Sequence, residues 1–304
     1  MSPVTSISAK VRSGDRTIGA ILVESGRLSA KDVDRILQYQ RDTELRFGEA
    51  GVQLGLLTEA DVLYALSVQF DYPFLQPGTS RPVSAELVAA YKPFGPEGER
   101  LRALRSQLQL RWFDDSGRRS ALAIVSADRG EGRSYLASNL AITFAQLGER
   151  TLLIDADLRH SRQHKLFKIE NQVGLSNLLA GRMQDQVVTF VPGIPGLAVL
   201  PAGPTPPNPT ELLSRPVLDR ILEQSMSTFD IVIIDTPALS TGADAALLGR
   251  LAGSSLTLAR INSTPMRAFN DLNQTLAEAG SRVVGSVLVD VPVNVATRAA
   301  TAEA

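Results

Sequence analysis

Three short runs of this chain carry residue types that can hold a phosphate and a divalent cation together. Ala121 to Ile142 reads ALAIVSADRGEGRSYLASNLAI, an apolar strand, a glycine-rich loop and a helix. Gly130 and Gly132 allow backbone amides to turn inward around an anion, and the helix behind them aims its positive end at it. The cradle comprises Gly130, Glu131, Gly132, Arg133, Ser134 and Tyr135. Ser134 can give its hydroxyl to Mg²⁺. Arg133 stands where such a loop usually has Lys, keeping the charge but not the compact shape. Taken alone, the run also reads as a Gly-rich turn between a strand and a helix. Leu152 to Arg159, LLIDADLR, is a second apolar run and ends in Asp155 and Asp157. The third, Ile231 to Ala238 (IVIIDTPA), ends in Asp235. Ligands of open parallel sheets bind at the carboxyl ends of strands, so these carboxylates are expected beside the glycine loop. If the second strand runs on through both acids, alternation puts Asp155 and Asp157 on one side.

The elements around these runs alternate. Strands are expected at 120–126, 151–155, 197–201, 231–235, 255–260 and 283–289, most of them rich in Val, Ile and Leu, as parallel strands covered on both faces are. Amphipathic helices lie between them. The fold class is therefore α/β, a P-loop NTPase with a doubly wound parallel sheet, preceded by a small N-terminal helical domain. Residues 1–13 are expected to be disordered and 14–78 to form the helical domain. A Pro- and Gly-rich linker follows over 79–97, with one short helix around Ala85 to Tyr91. The P-loop domain takes 98–292, opening on a polar helix to Trp112, and 293–304 is a disordered tail.

The helical domain is a tandem repeat with a shift of 29 residues. Gly19 falls on Gly48, Val23 on Val52, Gly26 on Gly55, Leu28 on Leu57, Ser29 on Thr58, Asp32 on Asp61 and Gln40 on Gln69. Ser29 and Thr58 each sit where a helix N-cap belongs. Each copy is a short helix, a turn and a second helix, and two copies bury faces that neither can bury alone.

Composition narrows the functions. The net charge of −1 gives no global attraction to nucleic acid, and the absence of Cys excludes disulfide and thiol chemistry. With only two histidines, His160 and His164, the composition argues against a histidine-rich metal site. No run approaches the roughly 18 apolar residues that span a bilayer, and Met1 to Arg16 lacks the apolar core of a signal peptide. The expected location is cytoplasmic, with peripheral association with the inner membrane through a partner.

GEGRS, LLIDADLR and IVIIDTPA resemble the Walker A, A′ and B motifs of the bacterial tyrosine kinases of exopolysaccharide export. GLSNLLAG at 174–181 and PAGPTPPNPTELL at 201–213 resemble the segments between them. The likeness runs from about Pro96 to Val291. It implies an ATP- and Mg²⁺-dependent kinase in which the loop amides hold the β- and γ-phosphates while Arg133 compensates charge. Ser134, Asp157 and Asp235 would order Mg²⁺, and Asp155 would orient or deprotonate the attacking tyrosine. It also implies a homo-oligomer joined through Glu99, Arg102 and Arg105, and a transmembrane polysaccharide co-polymerase as partner. The sequence departs from the family at three places. Arg133 replaces Lys, Val289 stands where Asn often contacts adenine, and the last tyrosine is Tyr135, so a tyrosine-rich tail is absent. A MinD/ParA-like ATPase switch and a catalytically silent nucleotide-binding scaffold remain open. Asp128, where the first of these carries a second Lys, argues against it.

The N-terminal repeat resembles the N-terminal domain of type II secretion and type IV pilus ATPases, some of which bind cyclic di-GMP through two such motifs. The second copy is the fuller match, with Arg46, Phe47, Gly48, Gly55, Leu57, Thr58 and Gln69. The first has Thr17 in place of Arg. A cyclic di-GMP sensor and a ligand-free interaction module are both compatible with it.

Overall fold

The computed structural model describes residues 16–70, 72–75, 82–112, 121–182 and 187–290. The segments expected to be disordered, 1–13 and 293–304, lie outside the described residues. The chain divides into two units, Met1–Gln76 and Pro77–Ala304.

The smaller unit consists of α1 (Ile18–Glu24), α2 (Ala30–Thr43), α3 (Phe47–Gln53) and α4 (Glu59–Gln69). The sequence repeat is also a structural one. Ser29 and Thr58 accept the N–H groups of Asp32 and Asp61, each at 3.2 Å, which satisfies an otherwise orphaned donor at each helix start. Gly26 and Gly55 turn between the helices of each copy at φ of 70° and 66°. Thr17 acts locally, its hydroxyl capping α1 by accepting the N–H of Ala20 at 3.3 Å. The copies interlock, α1 on α4 and α2 on α3. Their shared core is Ile21, Leu22, Leu28, Ile36, Ala50, Leu57 and Ala65. Arg27 of the first copy pairs with Asp61 of the second at 2.6 Å and lies over the Tyr64 ring at 4.4 Å.

The larger unit begins with α5 (Val88–Tyr91) and α6 (Pro96–Trp112). It continues through β1 (Ala121–Ser126), α7 (Arg133–Ala145), β2 (Thr151–Asp155), α8 (Gln163–Phe167), α9 (Leu175–Leu179), β3 (Thr189–Phe190) and β4 (Leu197–Leu200). The second half is α10 (Pro209–Leu213), α11 (Val217–Thr228), β5 (Ile231–Asp235), α12 (Asp244–Ala252), β6 (Gly253–Arg260), α13 (Met266–Glu278) and β7 (Arg282–Val289). The sheet order is β3-β4-β2-β5-β1-β6-β7. All pairings are parallel except β3 with β4. β1, β2, β4 and β5 are buried along their whole length, as their uninterrupted apolar runs require. The edge strand β7 instead alternates toward solvent. β3, two exposed residues long, has no period-2 signal to announce it.

The stretch read as a linker over 79–97 differs from that reading. From residue 82 it is packed into the larger unit, with Val83, Leu87, Ala89 and Ala90 buried. Asn139 on α7 and Gln146 at its C-cap hold it in place. Asn139 accepts the N–H of Ala89 at 2.9 Å and donates to Glu86 O at 3.2 Å. Gln146 donates to Ala89 O at 2.8 Å. Pro and Gly mark turns, and the apolar residues between them decide the packing. Next, α6 buries Leu101, Arg105, Leu108 and Trp112, one stripe at helical spacing, with Trp112 edge-on to Phe144 at 6.0 Å. Among the described residues no helix is long and apolar enough to cross a membrane.

The repeat makes a testable distinction between its two equivalent glycines. A Cβ at Gly48 would lie 2.6 Å from Val62 Cγ1, a stiff β-branched neighbour, whereas at Gly19 the nearest atom is Phe47 Cζ at 3.3 Å. Gly48→Ala is expected to destabilise the smaller unit by about 1–3 kcal/mol, and Gly19→Ala by clearly less. Denaturant unfolding of both variants followed by helical circular dichroism checks the order.

Candidate active site

Sheet topology brings the acids together. β5 lies between β1 and β2, and the register sets Asp155 opposite Asp235 and Asp235 opposite Ile124. The loop leaving β1 therefore starts beside both carboxylates. Gly130 and Gly132 take φ of 78° and 97°, the left-handed values that the glycine reading anticipates, and Gly132 caps α7.

Glu131 braces this loop. Its buried carboxylate accepts the Asp128 N–H at 2.9 Å and the Thr264 hydroxyl, tying the loop to the segment after β6. Arg133 is buried as well and points into the loop's own framework. Nε donates to Thr236 O at 2.9 Å, and Nη1 donates to Asp128 O at 2.6 Å and to the Ser126 hydroxyl. Burial lowers its pKa, and the charges of Asp235, Asp157 and Glu131 oppose that shift. A lysine could not make this three-way fork. The guanidinium thus lies beneath the loop, braced against backbone. Tyr135, half-buried in the first turn of α7, is pushed up in pKa by burial and by Glu97 and Glu86.

Asp155 and Asp235 are fully buried. Asp155 Oδ2 accepts the backbone N–H groups of Arg162 at 3.0 Å and Gln163 at 2.9 Å. Asp235 Oδ2 accepts from Gln163 Nε2 at 2.8 Å, and the nearby Ser134 side chain acts to lower the pKa of Asp235. The other oxygen of each acid, Oδ1, is buried without a partner. Burial, then the neighbouring charge of Asp235, pushes Asp155 well above the usual carboxylate range. Burial pushes Asp235 up to about 6, against the hydrogen bond from Gln163 and the charge of Arg133. β2 ends at Asp155, so the alternation argument does not extend to Asp157. Asp157 instead caps the following turn, its Oδ1 accepting the N–H groups of Arg159 at 3.2 Å and His160 at 2.8 Å. Its charge still acts on Asp155, Asp235 and Arg133.

Two unpartnered carboxylate oxygens beside a serine hydroxyl form a hard oxygen donor set, which suits Mg²⁺. Among the described residues no group of three or more His, Cys, Asp or Glu is placed to hold a metal alone. A cavity of about 460 Å³, lined by Leu152, Leu178, Ile221 and Phe229 among others, lies under α11 and includes none of these acids; the charge pattern locates the chemistry better than the hollow does.

Two features escape sequence reasoning. Gln163 reaches Asp235 across 72 residues of chain, and no motif marks it. Arg159 donates to Asp244 at 3.1 Å and to Thr210 at 2.8 Å, joining the turn after β2 to α12 and α10. Its place within LLIDADLR is a signal, but its partners are not. The residues expected to join subunits are largely engaged within their own. Arg105 is buried and donates to Thr143 O at 2.8 Å. Arg102 bonds to Pro93 O and Glu99, lies over the Phe94 ring at 5.2 Å, and is 17% exposed, against 61% for Glu99.

A glycine cradle, a hydroxyl, two acids at the carboxyl ends of a doubly wound parallel sheet and a third in the turn that follows define a P-loop NTPase. No protein-family model matches the chain. It is 34% identical over 202 residues to tyrosine-protein kinase YwqD of Bacillus subtilis strain 168, covering 66% of this chain and 84% of that protein. It is 36% identical over 190 residues to tyrosine-protein kinase etk of Escherichia coli strain K12, covering 62% of this chain and 26% of that protein. The solved kinase domain of the Escherichia coli tyrosine kinase ETK superposes with a TM-score of 0.66 at 33% identity, over 71% of this chain and 84% of that one. The chain belongs to the bacterial tyrosine-protein kinase family. It matches only about a quarter of the length of the Escherichia coli protein.

The raised acids predict a pH signature. Folding lifts Asp235 from 3.8 to about 6, so the folded protein takes up a proton between those values, and stability falls as pH rises through that window. Above it Asp235 carries unfavourable buried charge that a cation would relieve. Asp235→Asn is expected to raise the nucleotide-free melting midpoint at pH 7.5, by about 2–4 °C for each kcal/mol relieved, and to remove most stabilisation by Mg²⁺ and ADP. In the parental protein that stabilisation should be weak at pH 5 and strong at pH 7.5. Thermal melts at both pH values check all three.

Proposed function

We propose that the larger unit is an ATP-dependent protein-tyrosine kinase that regulates exopolysaccharide polymerisation, chain length and export. The observation that carries this reading is Asp155. Two backbone N–H groups fix one of its oxygens, the other is buried and unpartnered, and its pKa is pushed upward. A carboxylate so held is a stronger base than a solvated one and is suited to accept a hydroxyl proton. The tyrosine oxygen attacks the γ-phosphorus of ATP, the bond to the β-phosphate bridging oxygen breaks, ADP leaves, and the phenolic proton passes to Asp155. Mg²⁺, when bound with the nucleotide, neutralises charge developing on the phosphates. Ser134 and Asp235 would hold it, with Asp157 ordering its surroundings. The amides from Gly130 to Tyr135 orient the phosphates, and Arg133 stiffens the loop and adds positive charge behind it.

The acceptor is a tyrosine of this chain or of another protein. All five tyrosines of this sequence lie at or before Tyr135. A transmembrane polysaccharide co-polymerase is the proposed partner and would hold the kinase at the cytoplasmic face of the inner membrane. In a homo-oligomer Glu99 is the motif residue best placed to reach a neighbouring copy, while Arg102 and Arg105 support α6 from within. The smaller unit acts as an interaction module of the type found on secretion and pilus ATPases. Cyclic di-GMP is its candidate ligand through Arg46, which is exposed.

One observation favours a catalytically silent nucleotide-binding scaffold: the inward-braced Arg133 in place of a lysine. Phosphotyrosine blotting with Mg-ATP, with and without the co-polymerase, separates the readings. Asp155→Asn is expected to abolish phosphotyrosine while leaving ATP affinity within about threefold, because the residue acts on the proton and not on nucleotide capture. Parental levels of phosphotyrosine in that variant would sink the assignment. Nucleotide uptake with no phosphotyrosine in the parental protein under either condition would favour the scaffold.

A further inference from the structure

Gln163 touches Asp155, Asp235 and Ser134 at once. Its backbone N–H donates to Asp155 Oδ2 at 2.9 Å. Its side-chain Nε2 donates to Asp235 Oδ2 at 2.8 Å and to Ser134 O, in the first turn of α7, at 3.1 Å. The side chain is fully buried. Both amide hydrogens are thereby committed, and the amide oxygen Oε1 is buried with no partner. An apolar residue of similar volume would pack there without an orphaned carbonyl, so the amide is held in spite of its surroundings rather than because of them.

The bonding pattern shows what the amide does. Asp235 has two oxygens, and Gln163 occupies one of them. The same amide grips the main chain of Ser134, whose side chain is near enough to Asp235 to lower its pKa. Three points from three elements, the end of β5, the start of α7 and the start of α8, are thus locked by one planar group.

We infer that Gln163 is a positioning residue for the cation that accompanies the nucleotide: by occupying Asp235 Oδ2 and gripping the Ser134 main chain, it keeps Asp235 Oδ1 and the Ser134 hydroxyl as an adjacent donor pair. This rests on the reading of the site as one for magnesium and a nucleotide. Without the amide, Asp235 can rotate and the serine turn can drift, and the two donors no longer meet one ion at fixed spacing. Groups that orient metal ligands in this way typically contribute about 10–100-fold to metal affinity. Gln163 is assigned no contact with phosphate or acceptor, so capture of the nucleotide without metal does not depend on it.

The test uses the full chain, a fluorescent ADP analogue and MgCl₂. At fixed analogue, Mg²⁺ is titrated into the parental protein and into Gln163→Met, which keeps the volume and removes both donors. The Mg²⁺ concentration for half-maximal binding is expected to rise about 10–100-fold, with analogue affinity in EDTA unchanged within twofold. Gln163→Asn, too short to reach both acceptors, is expected to give a smaller rise and carries the test if the Met variant does not fold. A half-maximal Mg²⁺ concentration within twofold of the parental value overturns the inference. So does a lower nucleotide-free melting midpoint with unaltered Mg²⁺ dependence, which would assign the amide to the fold alone. If the parental protein takes up the analogue without regard to Mg²⁺, or not at all, the underlying site reading fails as well.

Discussion

Two carboxylates buried side by side, with a bare oxygen on each, are the constraint around which the larger unit is organised. Placing β5 between β1 and β2 in parallel register leaves Asp155 and Asp235 no choice but adjacency. In a low-dielectric interior two neighbouring negative charges repel strongly, and the relief within the protein is partial: backbone N–H groups, one glutamine amide and the charge of Arg133. A cation beside the two bare oxygens would relieve that repulsion, which is how the arrangement favours a metal-bound nucleotide.

Much of the surrounding structure serves to keep that arrangement dry and rigid. Glu131 fastens the glycine loop at two points, and Arg133 fastens it from below. Asn139 and Gln146 draw residues 86–89 against α7, and α6 covers the same helix with Trp112 on Phe144. Arginine in the lysine position changes the division of labour. A flexible point charge can follow a phosphate, whereas a braced guanidinium holds a loop that does the following with its amides. The family relationship and this departure are compatible, since phosphoryl transfer depends chiefly on positioning and on the total charge delivered.

The loop, both buried strand ends and the tandem repeat were legible from sequence because each is written in local signals: glycines at positive φ, uninterrupted apolar runs, and Ser or Thr at helix starts. What was not legible depends on contacts between distant segments. The stretch after residue 82 carries linker composition but is held by the side chains of Asn139 and Gln146. Arg105 sits in a charged run yet lies on the buried stripe of α6, between Leu101 and Leu108. Asp157 follows the strand in sequence, but the strand stops two residues earlier and the acid turns to cap the next loop. Gln163 had no signal at all, because its importance comes from the packing of α8 over two strand ends.

The electrostatic picture of the site is tested most directly by a crystal structure of the full chain with magnesium and a non-hydrolysable ATP analogue. The triphosphate is expected in the amides of Gly130 to Tyr135. One octahedral ion with oxygen ligands at about 2.0–2.1 Å is expected beside it, joined to Ser134 and Asp235 directly or through one water. An ion and triphosphate bound away from Ser134, Asp155 and Asp235 would contradict it.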